Sequence, residues 1–170
     1  FPVERFIGQG IVLDFSDKGD IYEITREDIM AHADELKKVD FAILNTGWAK
    51  YYGTWDFFRH PYLSGDAALA LVELGIKIVG TDGSSADAAY GFSTAKRLEN
   101  PTFSEILENI ERENIKNEAH AALLGNECLI VEYMCNLEQL PKEAATYSFL
   151  PLKLMEADGS PVRAICMISE

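Results

Sequence analysis

Short apolar runs alternate with windows whose apolar residues recur at helical spacing, and this alternation organises the whole chain. Residues 11–15 read as a strand, with Gly8 and Gly10 before them and a polar stretch from Ser16 to Gly19 after them. Thr25 opens a helix: Asp28 stands at the capping-box position, and Ile29, Ala33 and Leu36 fall on one face. Residues 41–45 form a second strand, closed by Thr46, Gly47 and Trp48. After a loop rich in aromatic residues, Ser64 caps a helix that buries Ala68, Leu71 and Val72 and stops at Gly75. Residues 76–81 are a third strand, ending at Asp82. Thr102 with Glu105 starts another helix, striped by Phe103, Ile106, Leu107 and Ile110. A short helix carrying His120, Leu123 and Leu124 stops at Gly125, and residues 128–131 lead as a fourth strand into Glu132. Two last strands, about 147–154 and 162–168, are joined by a turn at Asp158 and Gly159.

Strands that alternate with helices imply right-handed crossovers and a mostly parallel sheet; the closing hairpin makes it mixed. The fold class is α/β, with helices flanking the sheet. At 170 residues the chain suits a single domain, 1–170, that buries roughly two thirds of its unfolded surface without disulfide or metal staples. Acidic residues number 28 against 15 basic, a net charge of −13. Such a surface repels phosphates, which argues against nucleic-acid partners and against docking on anionic membranes. No apolar run approaches the roughly 20 residues of a membrane span, and no signal-peptide core opens the chain. Cys128, Cys135 and Cys166 each have apolar neighbours, which predicts small buried thiols in a reducing, cytoplasmic setting.

In open α/β sheets, ligands bind beyond the carboxyl ends of the strands. Those ends carry Asp14, Thr46 with Trp48, Asp82 and Glu132. A single Asp after a strand is most simply a turn cap, so it is the convergence that is informative. Of the three histidines, His32 lies on a helix at the edge of a helix–sheet contact. His60 precedes Pro61 in the aromatic loop and reads either as a pocket lip or as a packed turn. His120 sits one short helix ahead of the strand ending in Glu132, so the two side chains can meet at one end of the sheet. Imidazole and carboxylate suit zinc or manganese, although two donors are an incomplete site. Zincin, nucleophile-elbow, Walker A and dinucleotide-binding motifs are absent from the sequence.

Several short motifs, in order, resemble the cyclase family of metal-dependent hydrolases, which includes bacterial kynurenine formamidases and isatin hydrolases. Pro2 to Phe6 and Gly10 to Phe15 resemble its entry to the first strand, and Ile24 to Asp28 its helix entry. Thr46, Gly47 and Trp48 resemble its T-G-W, and His60, Pro61, Leu63 and Ser64 its H-P-x-L-S turn. Gly80, Asp82, Ser85 and Asp87 resemble G-x-D-x-x-S-x-D. His120, Leu123, Leu124 and Gly125, with Glu132 twelve positions after His120, resemble its late metal-site pair. Pro151 to Leu154 and Asp158 to Arg163 resemble its closing hairpin.

The resemblance implies a swivelling β/β/α fold and hydrolysis of amide, lactam or ester bonds in small, often aromatic molecules. The reaction would be arylformamidase-like, with water activated on zinc or manganese. It implies His120 and Glu132 as metal ligands or catalytic proton carriers, and a homodimer or larger homo-oligomer. Trp48, Tyr52 and Trp55, in a loop just past a strand end, read as substrate-binding residues that stack on a planar molecule or, equally, as packing under the loop; Ser85 reads as a substrate-binding donor to a carbonyl or carboxylate or, equally, as the close of the turn after Asp82. The family's main ligand segment, H-x-G-T-H-x-D-x-P-x-H, is missing. The remaining ligands are therefore expected upstream of Phe1, and this chain alone is expected to hold metal weakly or not at all. The alternative is a truncated or degenerate family member acting as a non-catalytic binding or assembly module.

Overall fold

A computed structural model describes residues 1–89, 102, 104, 105, 108 and 117–168. Eight strands are present among them: β1 (Ile7–Asp14), β2 (Glu23–Ile24), β3 (Phe41–Asn45), β4 (Tyr62–Leu63), β5 (Ile78–Thr81), β6 (Leu129–Val131), β7 (Ala145–Ser148) and β8 (Ile165–Met167). The α-helices with described bounds are α1 (Arg26–Met30), α2 (Ala33–Leu36), α3 (Gly65–Glu73) and α4 (Glu118–Leu124). A six-stranded sheet has the order β6-β5-β3-β1-β7-β8, parallel from β6 to β1 and antiparallel at β7 and β8. This is the mixed, mostly parallel α/β sheet expected.

The central strand explains the layering. All five residues of β3 are buried, as a strand covered on both faces requires. Ala42 and Leu44 face one core cluster with Ile29 of α1, Leu36 of α2, Ala68 and Leu71 of α3 and Leu123 of α4. Phe41 and Ile43 face the other, with Met134, Leu137, Tyr147 and Phe149. Helices thus cover one face, and the chain following β6 covers the other. Among the described residues no helix is long and apolar enough to cross a membrane.

Local signals set most helix ends. Thr25 and Asp28 form a reciprocal capping box, and the Ser64 hydroxyl accepts from the Ala67 N–H at 3.0 Å. The helix expected from Thr25 divides at His32 into α1 and α2, yet Ile29 and Leu36 keep a common buried face. Thr102 and Glu105 bond reciprocally as expected of a cap; the stripe Phe103, Ile106, Leu107 and Ile110 lies outside the described residues.

Three expectations are corrected. The first strand begins at Ile7, before the two glycines, because its first half pairs with β7 and its second half with β3. Gly10 lies inside it, where an added Cβ would sit 2.8 Å from the Tyr147 ring. The closing strands are shorter than expected: Pro151 cannot donate to a ladder, and beyond Ser148 only the isolated bridge Pro151–Val162 continues the pairing. Cys128 is buried, but Cys166 is half-buried and Cys135 exposed. Tyr133 and Asn136 take left-handed backbone on either side of Met134 and Cys135, so apolar neighbours in sequence point to different sides.

Candidate active site

The parallel topology aligns the carboxyl ends of β6, β5, β3 and β1 along one edge. Each of the four ends then has a different task. Asp14, after β1, accepts the Ser16 N–H at 3.0 Å and the Asn45 amide at 3.3 Å, a turn-capping arrangement. These Ser16 bonds hold its carboxyl below the usual range. It lines an acidic cleft of about 440 Å³ with Asp17, Asp28 and His32, separate from the groups below.

Asp82, after β5, is only 1% exposed. One oxygen accepts the Thr46 N–H at 2.9 Å and the Thr46 hydroxyl at 2.6 Å. The other accepts the Trp48 N–H at 2.8 Å and the Ala49 N–H at 3.4 Å. Asp82 is therefore a clamp that fixes the start of the aromatic loop.

Beside it, His60 is also 1% exposed and packs against Gly83, where a Cβ would lie 2.7 Å from the ring. Its Nδ1–H donates to the Pro61 carbonyl at 2.7 Å, while Nε2 is buried without a partner. Burial pushes the imidazole below its ordinary pKa, against the Pro61 carbonyl and Asp82. The folded state thus resists a proton that the unfolded chain takes up below about pH 6.5, and His60's contribution to stability falls as pH drops through that value. Urea denaturation at pH 7.5 and 5.5 should show wild type losing stability relative to His60→Asn at the lower pH. A constant difference between the two proteins contradicts this.

His120 and Glu132 meet. Asp87, 5% exposed, accepts the Ala119 N–H at 2.7 Å, the His120 N–H at 2.9 Å and the His120 ring Nδ1–H at 2.6 Å. The ring's other nitrogen, Nε2, faces Glu132 Oε1 at 3.4 Å. The same Glu132 oxygen accepts the Ala86 N–H at 3.1 Å. The turn after it is pinned by Tyr133 N–H to the Gly83 carbonyl and Met134 N–H to the Thr81 carbonyl, both 3.0 Å. The Asp87 hydrogen bond, above all, raises the His120 pKa, burial opposes it, and Glu132 adds to the rise. Burial pushes Glu132 upward as well, against the Ala86 N–H and His120. Two groups that each hold a proton more firmly than usual face each other across a gap that suits a shared proton or a shared cation. The side chains of both are about 30% exposed, so the pair opens to solvent.

The aromatic residues divide. Trp48 is 8% exposed, donates its indole N–H to the Asp56 carbonyl at 2.8 Å and packs on Tyr51. Tyr52 is 72% exposed and stands edge-on to Phe57 and to Tyr133, the neighbour of Glu132. Ser85 accepts the Asp87 N–H at 3.2 Å and so closes the turn between Asp82 and Asp87. Asp87, the Ala86 N–H and Tyr133 were not singled out by sequence reasoning. Asp87 lay within the D-x-x-S-x-D stretch, the one signal available.

Residues 1–88 match the model of the Cyclase family ("Putative cyclase"). The chain belongs to the Cyclase family. Its His120 and Glu132 lie beyond the matched stretch. Isatin hydrolase A from Labrenzia aggregata, solved with benzyl benzoate, superposes on 99% of this Cyclase-family chain with a TM-score of 0.76 and 26% identity, and is itself covered over 64% of its length. A structure described as a potential metal-dependent hydrolase with cyclase activity gives a TM-score of 0.63 at 22% identity, covering 97% of this chain and 67% of the other. Uncharacterized protein MJ0783 of Methanocaldococcus jannaschii is 28% identical over 156 residues, 89% of this chain and 65% of that protein. The chain spans about two thirds of the length of these relatives. The solved structures it resembles thus include an isatin hydrolase and a protein described as a potential metal-dependent hydrolase.

The donor chemistry of the pair, one imidazole nitrogen and one carboxylate, fits half of a divalent-metal site, with Asp87 supplying the usual support behind the imidazole. Among the described residues no three His, Cys, Asp or Glu side chains cluster so as to hold a metal.

Proposed function

We propose that the protein is a metal-dependent hydrolase of amide, lactam or ester bonds in small, often aromatic molecules, and that His120 and Glu132 are its acid–base and metal-holding pair. The observation that carries this reading is the meeting of His120 Nε2 and Glu132 Oε1 at 3.4 Å, with the imidazole fixed through Nδ1 by Asp87 and the carboxylate fixed at Oε1 by the Ala86 N–H. A divalent ion there, zinc or manganese, would lower the pKa of a water. Glu132, with its raised pKa, suits removal of that water's proton near neutral pH. His120 offers a neutral donor nitrogen or a proton for the leaving group.

Tyr52 and Tyr133 give a planar substrate an aromatic edge beside Glu132. Ser85 stands next to Ala86 and offers its hydroxyl to a substrate carbonyl, whereas Trp48 acts from beneath by fixing the loop. Cleavage of a C–N bond of the arylformamide type belongs to the proposal, as do a cytoplasmic setting and a homodimer. The exposed Leu152, Ile165, Met167 and Ile168 around the edge strand β8 give a second copy apolar surface to cover.

The absence of a three-ligand cluster among the described residues favours a second reading, a non-catalytic binding module. One experiment separates the two. In protein that carries the H-x-G-T-H-x-D-x-P-x-H segment, turnover of a panel containing a cyclic lactam, an N-formyl arylamine and an aryl ester should vanish on chelation and return with manganese or zinc. Absence of turnover from all three in the metal-supplied protein supports the binding module.

A further inference from the structure

Asp87 does more than pair with a histidine. Its side chain is 7% exposed, and both of its oxygens are committed: one to the Ala119 N–H, the other to the N–H and the ring of His120. The same carboxylate therefore caps the start of α4 and grips the imidazole carried on that helix. Its own N–H is held by Ser85, so the carboxylate is placed by the loop that also carries the Ala86 N–H to Glu132.

Carboxylates only accept, and both ring nitrogens face one; Asp87 Oδ2 lies at 2.6 Å from Nδ1, a short hydrogen bond, and Glu132 Oε1 at 3.4 Å from Nε2, so the proton of the neutral ring belongs on Nδ1. In the neutral ring, Nε2 is then left as the lone-pair nitrogen, directed at the Glu132 side. Free histidine prefers the opposite arrangement, with the proton on Nε2, which would present an N–H to that side and block donation to a cation. We propose that Asp87 is a positioning residue that selects the Nδ1–H tautomer of His120 and thereby makes Nε2 the donor of the site. The consequence for hydrolysis rests on the proposed function. The tautomer does not, and it is measured without metal or substrate.

The experiment is nitrogen-15 NMR of histidine-labelled, metal-free protein at a pH where the rings are neutral. With three histidines in the chain, a His120→Gln spectrum assigns the signal. Wild type should hold the Nδ1–H form at least about tenfold over the other, an energy difference of about 1.4 kcal/mol. Asp87→Asn keeps an oxygen for the Ala119 N–H but can turn an amide N–H toward the ring. It should move the proton to Nε2 and invert that ratio. Asp87→Ser keeps a cap oxygen too short to reach the ring and should abolish the preference while α4 remains folded by its amide shifts. A wild-type His120 with its proton on Nε2 would overturn the proposal whatever the variants do. So would an Asp87→Asn protein that keeps the Nδ1–H form. Metal-dependent turnover with the wrong tautomer would sink this inference and leave the proposed function standing.

Discussion

Glu132→Gln, in metal-supplied protein that carries the H-x-G-T-H-x-D-x-P-x-H segment, is expected to lower turnover of a small amide or lactam at least about a hundredfold, the scale of general acid–base and metal-ligand contributions. The reason is charge. Gln keeps the volume and can still accept the Ala86 N–H through its carbonyl oxygen, so the turn after β6 survives. It cannot take a proton from water at neutral pH, and it binds a cation far less strongly than a carboxylate. Stability should change by no more than about 1 kcal/mol, because the side chain is 28% exposed and its backbone contact is kept. A rate assay is paired with a melting curve. Near-normal turnover in a folded Glu132→Gln protein removes Glu132 from the chemistry. Recovery of the rate at excess metal assigns it chiefly as a ligand, since mass action refills a weakened site.

The opposite behaviour is expected one strand away. Asp82→Ala should cost about 4 kcal/mol in urea denaturation. It leaves the Thr46 N–H, the Thr46 hydroxyl and the Trp48 and Ala49 N–H groups facing a buried void with no acceptor. Each orphaned buried donor costs about 1–3 kcal/mol, and some relaxation toward water brings the sum down. Asp82→Asn should lose nearly as much, because an amide places a donor against donors. A loss below about 1 kcal/mol in both variants would mean that the aromatic loop is held by something else. The contrast is the point: both carboxylates end a parallel strand, yet one is a buried clamp and the other a partly open reactive group.

What could be read from the sequence was what neighbouring residues decide. The uninterrupted apolar run of β3, the Thr25 and Ser64 caps and the Gly75 stop are local, and each stands where expected. The two-residue strands β2 and β4 carry no period at all, and their pairing of Ile24 with Leu63 is a tertiary fact. Gly8 and Gly10 looked like a boundary because a glycine needed for turn freedom and one needed for a close ring contact are written alike. His120 and Glu132 could be paired from topology, since a short helix leads straight into the strand. Asp87 could not be assigned to them, because its partners lie 32 and 33 residues on and only the folded chain brings them within reach. Trp48 illustrates the same limit: its burial follows from the Asp82 clamp on its own backbone and from the Asp56 carbonyl across the loop.

The most direct measurement is turnover of the lactam, formyl-arylamine and ester panel by chelator-stripped protein that carries the H-x-G-T-H-x-D-x-P-x-H segment, before and after manganese is returned, run beside His120→Gln. No turnover is expected without metal, restored turnover in the wild type, and at least about a hundredfold less in the variant at the same metal concentration. Turnover that survives chelation, or that returns equally in His120→Gln, would contradict the proposed function.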